Sequence, residues 1–471
     1  MVATLVQGGA SVVLGQVLLP ADFGLVNFAT IITNFVARFN DMGLESAVIQ
    51  RASIGPKTLS TAFSLKLAAS TMMLLLLWVS AGPLASMLGS PQASPVIRLL
   101  SVTFLLSALS FVPMVRLRKE LKYDAIAVVW IASTLLGAIC SIVLALGGAG
   151  YWSIVAGQVV ATLTTLGMAQ WLQPSVYTLS VDRDECRQLI AFGGRVFLSG
   201  VIVFACFNID NLAIGIKLGA TALGLYGIAF NWSTQICSFA SSTILTVLFP
   251  AFTNLGADRD SVRALYVNSI RQLGMFGALA YGLFALVTPE FIVLVLGRGT
   301  DKWLAALPVL QVFCVYGIIR LLLEPLANVL LAVGRADLLL RSAVLTLVIE
   351  LMAVAAVLYT GGGIIAVAWS VLVAYALQYL YFGAFVTSEL GITRRELLRH
   401  IFPPVATVSI LAACAFWWKV TPTWTVLAIK CVLGAAGTTA LYGILGGAAQ
   451  LRVGAAYLRR HGVAAAALGS R

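Results

Sequence analysis

Long apolar stretches run from one end of the chain to the other, separated by short breaks at charge clusters, prolines and glycines. The breaks predict fourteen helical spans, near residues 1–19, 23–48, 59–81, 96–116, 124–146, 151–172, 191–216, 222–252, 270–296, 304–331, 338–360, 364–387, 401–419 and 424–449. Each is long enough to cross about 30 Å of hydrocarbon at 1.5 Å per residue. Short alternating strands, the mark of an outer-membrane barrel, are not seen. The pattern therefore predicts an all-α polytopic membrane protein with about fourteen transmembrane helices.

The spans repeat. Gly24-Leu25 followed by Ala29 matches Gly224-Leu225 followed by Ala229 at an offset of 200, and both pairs open a long span after a short turn. Pro113, near the end of the fourth span, parallels Pro325, near the end of the tenth. The turn "GGAGYWSIVAG" parallels "GGGIIAVAWS". The order predicts two six-helix lobes related by an axis along the membrane normal, followed by two further helices. The expected domains are residues 1–176, 177–390 and 391–471, with the polar stretch "QPSVYTLSVDRDECRQL" (173–189) as a linker on the cytoplasmic face.

Composition agrees. Hydrophobic residues make up 60% of the 471, charged residues 10%, and the mean hydropathy is +0.99. That charge content is too low to cover a soluble surface. Of the 30 Lys and Arg, 21 fall in alternate loops on the side that also holds both termini, four fall on the other side, and five lie within or at the edges of spans. By the positive-inside rule both termini are expected in the cytoplasm, in the inner membrane of a cell. The net charge of +12 is thus read as loops facing an anionic leaflet, not as nucleic-acid binding. The seven cysteines show no C-x-x-C spacing and the two histidines, His400 and His461, exclude a His-rich metal site. The opening "MVATLVQGGASVVLGQVLL" reads as the first span and not as a signal peptide, and its abrupt start suggests that a short polar leader is missing.

Within this apolar frame a few polar side chains stand out. Asn27, Thr30, Asn34, Arg38, Asp41 and Glu45 are spaced 3, 4, 4, 3 and 4 apart. On one helix they form a stripe about 27 Å long, which must face protein or water. Two readings follow: a buried network in which Arg38 pairs with Asp41 and Glu45, or a wet cavity with a cationic site, and the stripe's length favours the cavity. In the eighth span Asn231, Gln235, Ser238 and Ser242 form a similar stripe without charge; at the 200-residue offset Arg38 becomes Ser238 and Asp41 becomes Ser241. The tenth span carries Arg320, Glu324 and Asn328 around Pro325, either an i,i+4 salt bridge at a kink or a second cationic site at a hinge. Glu350 is expected near mid-membrane with no local basic partner, a candidate proton or cation carrier; Asp210 is a weaker one. Lys66, Arg98 and Lys430 are read as snorkelling residues near span ends. Tyr226, Trp232 and Tyr281 are read as packing or interfacial residues before sugar-stacking ones.

No P-loop, H-E-x-x-H, G-x-S-x-G or dinucleotide fingerprint is present, and the loops are too short for a catalytic domain. The chain reads as a secondary transporter, not an enzyme. A membrane glycosyltransferase or polymerase would need a large extracytoplasmic loop or an acidic catalytic motif, and neither is found.

The stretch "LLPADFGLVNFATIITNFVARFNDMGLESAVIQR" (Leu18 to Arg51) resembles the opening signature of bacterial polysaccharide transporters, the Wzx-type flippases of the multidrug/oligosaccharidyl-lipid/polysaccharide superfamily. "FVPMVRLRKELKYD", "GYWSIVAG", "IDNLAIGIKLGATALGLYGIAFN" and "TVLFPAF" resemble further segments, in the same order, up to about residue 390. The resemblance implies a MATE-like two-lobed fold and alternating-access transport of an undecaprenyl-diphosphate-linked glycan to the outer leaflet, for O-antigen or exopolysaccharide synthesis. The physics of such a substrate fits: Arg38 and Arg320 are expected to neutralise the diphosphate, with Asn34, Asn231 and Gln235 lining the cavity. Asp41, Glu45, Glu324, Glu350 and Asp210 are the ion-coupling candidates, for H+ or Na+, with no other cofactor, no metal and no catalytic residue. The expected partners are the lipid-linked oligosaccharide, membrane lipids, and a polymerase or glycosyltransferases of the same pathway. The alternative is a cation-coupled multidrug exporter of the same superfamily, which would want acidic cavity walls; Arg38 and Arg320 argue against it.

Overall fold

A computed structural model describes residues 2–51, 55–87, 89–255, 259–332, 335–417 and 421–447. Among them every regular element is helical. The order is α1 (Val2–Val17), α2 (Pro20–Asp41), α3 (Leu44–Ile49), α4 (Pro56–Met87), α5 (Ala93–Ser101), α6 (Thr103–Lys119), α7 (Tyr123–Leu146), α8 (Trp152–Leu172), α9 (Arg183–Leu255), α10 (Arg259–Glu290), α11 (Leu307–Ala332), α12 (Ala336–Tyr359), α13 (Ile364–Leu390), α14 (Arg394–Trp417) and α15 (Trp424–Tyr442). A π-helical turn, Phe291–Leu296, extends α10, and a 3-10 turn, Asp301–Ala306, leads into α11.

Eleven helical stretches among the described residues are long and apolar enough to cross a membrane, against the fourteen expected. The difference has identifiable causes. The first helix has 16 residues and falls short in length. The second has 22 residues, but its polar stripe keeps it out of the apolar set. The stretch Gly200–Phe239 counts once although it contains a break. That break is at Gly219, where φ is 83° and ψ 179°, so α9 is two rods joined end to end. A side chain at that φ would be strained, and glycine removes the strain. The turn "KLGATALG" between the seventh and eighth expected spans is this break.

Helix α7 is turned inside out relative to a helix of a soluble bundle. In α7 the buried positions include Ser133, Gly137, Ser141 and Ala145, one face at i, i+4 spacing. Trp130, Leu136, Ile139 and Val143 are exposed on the same helix. Small residues let backbones approach, and large apolar ones face lipid, where burial brings no hydrophobic gain.

Contacts divide the chain into two compact units, residues 1–227 and 228–471. The division falls inside α9 because the segment just after Gly219 packs on α2. There the approach is between backbones. A Cβ on Gly24 would lie 1.7 Å from the Ala220 carbonyl oxygen, and one on Gly224 would lie 1.8 Å from the Pro20 carbonyl oxygen. These two contacts are exchanged by the 200-residue offset.

The first unit also holds the polar linker against its helices. Ser180 Oγ is 2.7 Å from Ser60 Oγ, the Asp182 amide donates to Thr61 Oγ1 at 3.0 Å, and Tyr177 Oη donates to the Leu109 carbonyl at 2.6 Å. Arg51 pairs with Glu185 and donates to Gln188 at 3.1 Å. In the second unit α10 is central, packed on α11, α14 and α15. Its core includes Tyr266, Leu273, Tyr281, Leu321, Leu326, Phe382 and Val408.

Gly24→Ala and Gly224→Ala should each destabilise the protein by about 3 kcal/mol or more, because the obstacle is backbone. Gly9→Ala, which meets nothing within 4 Å, should be neutral or slightly stabilising. Thermal melts of the three purified variants check this.

Candidate functional site

Helix α2 starts at Pro20, with the Asp22 carboxylate accepting the Leu19 amide at 3.0 Å. Its apolar side, including Leu25, Phe28, Ile32 and Val36, is buried. Asn34 and Arg38 on the polar side are exposed. The helix ends at Asp41. Met42 and Gly43 adopt left-handed conformations, with φ of 44° and 65°, and the Met42 amide closes on the Arg38 carbonyl at 3.2 Å. The stripe expected to run unbroken to Glu45 therefore stops one turn early, and Glu45 sits on the separate helix α3.

That break decides the pairing. Asp41 accepts from Lys66 Nζ at 3.2 Å, and Glu45 pairs with Arg118. Beside them Ser70 donates to Asn40 Oδ1 at 2.7 Å. Both carboxylates that could have neutralised Arg38 are thus held by other cations. Among the described residues Arg38 has no carboxylate partner; its guanidinium lies 5.6 Å from the centre of the Phe204 ring. A cation over an aromatic face gains only about 0.5–1 kcal/mol when exposed and leaves the positive charge uncompensated. Phe39 packs on Phe35 and Phe197, with ring centres 5.3 and 4.9 Å apart, and Phe35 on Phe204 at 5.9 Å. These rings brace the cation.

Asp210 on α9 is buried and saturated. It accepts from Tyr226 Oη at 2.5 Å and from Asn211 N and Nδ2 at 2.7 and 3.0 Å. The Tyr226 bond spans the break at Gly219, tying the two rods of α9 together.

The second unit contains the other candidates. Asn231 is exposed and Gln235 half-buried. Arg320 Nη1 donates to Tyr316 Oη at 3.2 Å, and Tyr316 packs edge-on against Tyr375 with ring centres 4.8 Å apart. Both tyrosines feel the charges of Arg320 and of Glu350, so Glu350, expected to stand apart from any base, shares its surroundings with Arg320. Glu350 is buried. Glu324 makes no ion pair among the described residues, although it lies within reach of Arg320's charge; its carbonyl accepts from Asn328 Nδ2 at 2.9 Å. Tyr226 and Tyr281 are fully buried, which makes them packing residues and removes them as sugar platforms. Tyr281 donates to the Ser233 carbonyl at 2.8 Å. The side chains of Ser241 and Ser242 lie outside the described residues.

Two lysines read as snorkelling do something else. Lys66 is buried against Asp41. Lys430 on α15 pairs with Glu290 on α10 at 2.8 Å, with side-chain exposures of 4% and 1%. Lys430 also donates to the Leu286 carbonyl at 3.3 Å. A signal for the second pair was present: Glu290 and Lys430 fall at similar depths of the ninth and fourteenth expected spans, both toward the same side. Arg98 is exposed, in keeping with a side chain at a span end.

Comparison with known proteins adds the family. The model of the family described as "Polysaccharide biosynthesis protein" matches residues 13–308. The chain is 24% identical over 331 residues to the lipopolysaccharide biosynthesis protein WzxC of Escherichia coli, covering 69% of this chain and 66% of that one. It is 28% identical to the teichuronic acid biosynthesis protein TuaB of Bacillus subtilis (72% and 70%). It is 29% identical to the succinoglycan biosynthesis transport protein ExoT of Rhizobium meliloti (63% and 60%). The alignments thus span about two thirds of the length of these relatives. Among solved structures the fold is similar to that of a lipid II flippase MurJ in an inward closed conformation, with a TM-score of 0.75 at 10% identity over 94% of this chain and 97% of that one. It is also similar to an inward-facing multidrug resistance MATE transporter, with a TM-score of 0.60 at 16% identity over 83% and 96%. At these identities both show the fold alone.

The Glu290–Lys430 pair should respond asymmetrically to mutation. Glu290→Ala or Lys430→Ala alone leaves a buried charge and should cost about 3–5 kcal/mol. The double change Glu290→Leu with Lys430→Met should recover most of that. Denaturation midpoints of the purified variants provide the check.

Proposed function

The chain belongs to the polysaccharide biosynthesis protein family, and from that premise we propose that it carries a polyprenyl-diphosphate-linked oligosaccharide from the cytoplasmic to the outer leaflet by alternating access. The observation that carries the reading is Arg38: a cation on the polar face of α2, exposed, and left without a carboxylate because Lys66 and Arg118 hold Asp41 and Glu45. An uncompensated guanidinium suits a diphosphate, which it can engage through paired N–H donors. Arg320 is the second cation. Asn34, Asn231 and Gln235 offer donors and acceptors for sugar hydroxyls, and the prenyl tail stays in lipid.

The relatives support the substrate class, since their names place them in lipopolysaccharide, teichuronic acid and succinoglycan biosynthesis. The same pairing weakens the alternative of a multidrug exporter. An exporter of organic cations needs free carboxylates, and beside α2 both Asp41 and Glu45 are paired with cations. An inside-negative potential assists outward movement of an anionic head group by about 2.3 kcal/mol per charge per 100 mV.

The membrane arrangement we propose has fourteen crossings: the eleven apolar stretches, with Gly200–Phe239 divided at Gly219, together with α1 and α2. Both termini lie in the cytoplasm, on the Lys- and Arg-rich side. Residues 1–176 and 177–390 form the repeated lobes and 391–471 the final helix pair. The Gly24–Gly224 crossing supports the repeat. Coupling to H+ or Na+ through Asp210, Glu324 or Glu350 belongs to the same proposal, as does cooperation with glycosyltransferases or a polymerase of the pathway.

In proteoliposomes loaded with a diphosphate-linked prenyl glycan, Arg38→Ala should lower flipping at least about tenfold, the loss of one charge-assisted contact of about 1.4 kcal/mol or more. Arg38→Lys should retain part of the activity, and Arg98→Ala should leave it unchanged. Wild-type flipping by Arg38→Ala rejects the cationic site.

A further inference from the structure

A further site lies in the residue 228–471 unit. A cavity of about 310 Å³ opens between the beginnings of α10 and α14, lined by Asp260, Arg263, Val267, Asn268, Arg271 and Glu396 among others. Arg263 and Glu396 bridge the two helices at 2.8 Å, so the helices run parallel with their starts together. That bridge neutralises both charges. Asp260 is exposed and has its own interaction.

Arg271 is different. Its Nε is buried and makes no hydrogen bond, and the side chain has no ion-pair partner among the described residues. Its charge is felt by His400 on α14, which also feels Glu396 and Arg399, and by Tyr442 on α15, whose hydroxyl is buried with no partner among the described residues. Exposed Asn268, one turn before it on the cavity wall, has no described side-chain hydrogen bond. Among the described residues, the cavity therefore presents an arginine and an amide donor with no acceptor of their own.

Depth identifies the surroundings. After Arg271 the next charge on α10 is Glu290, nineteen residues on, or about 28 Å at 1.5 Å per residue. That matches the hydrocarbon thickness. Arg271 thus sits where head groups meet hydrocarbon, and the charged beginning of α14 (Arg395, Glu396, Arg399) lies at the same level.

We infer that this cavity binds a phosphate ester at the membrane surface, the head group of an anionic phospholipid, with Arg271 and Asn268 as its ligands. Arginine suits phosphate because its planar donors match two oxygens at once. Basic pockets between helices at this level are a recognised place for anionic head groups. The site is separate from Arg38 and holds whether or not the chain moves a glycan.

The test is thermal stability of the full chain in detergent, with three additions: phosphatidylglycerol, diacylglycerol (the same tails without phosphate) and inorganic phosphate. Phosphatidylglycerol should raise the melting temperature about 3 °C above diacylglycerol. Arg271→Gln should abolish the difference and Asn268→Ala should reduce it. If inorganic phosphate reproduces the shift and Arg271→Gln removes it, the phosphate chemistry stands and the source is the free ion, which overturns the lipid assignment. An equal shift in wild type and Arg271→Gln, or no shift in wild type, overturns the site. Should Arg271→Gln fail to fold, Arg271→Lys and Asn268→Ala carry the same comparison.

Discussion

The structure depends on how a sparse set of charges is paired inside helices that have lipid as their solvent. Charged residues are one in ten here, and an ion within hydrocarbon depth must find a counter-charge, a ring or water. Lys66 takes Asp41, Arg118 takes Glu45 and Lys430 takes Glu290. Arg38 is what this pairing leaves over. Its availability is a property of the neighbours, because Asp41 lies only three residues away on the same helix. The Met42–Gly43 turn ends that helix and carries Glu45 off its axis. The positive charge on the polar face of α2 therefore follows from a local backbone choice.

Much of the architecture was legible because the membrane imposes a simple rule. Helices must be long, apolar and closed on their own hydrogen bonds, so breaks at Gly, Pro and charge clusters located most elements within a few residues. The sequence match of Gly24 with Gly224 corresponds to a contact, in which each glycine meets the carbonyl one turn before its counterpart. Partner choice was legible at most for Glu290 and Lys430, through their similar depths, and not for the other pairs. Side chains 25, 73 and 140 positions apart, as in Lys66–Asp41, Arg118–Glu45 and Lys430–Glu290, meet only through helix packing. Periodicity along one helix left two readings of Arg38, a pairing with its sequence neighbours or a wet cavity, and favoured the cavity. It is a statement about faces, and carries no information on what stands opposite a face.

The same limit explains the lysines. A lysine a turn or two from a span end reads as snorkelling, because its stem can reach water. Whether it does depends on the helix beside it. Lys66 faces Asp41 and Phe111, and Lys430 faces Glu290 and the Leu286 carbonyl. In both cases an acceptor within the protein is closer than the interface.

Backbone symmetry and charge symmetry part company in this chain. Gly24 and Gly224 are interchangeable in their contacts. Fourteen residues further along each helix the repeat holds Arg38 in one copy and Ser238 in the other, both exposed. Ser238 returns its hydroxyl to the Thr234 carbonyl at 2.9 Å and presents no charge. A matched scaffold lets two copies of a fold move alike, since equivalent crossings resist and yield to the same displacements. Selectivity depends on where charge is placed, and at this pair of positions only one copy carries it. Under the proposed function the two cations offered to a diphosphate, Arg38 and Arg320, are therefore not related by the 200-residue offset.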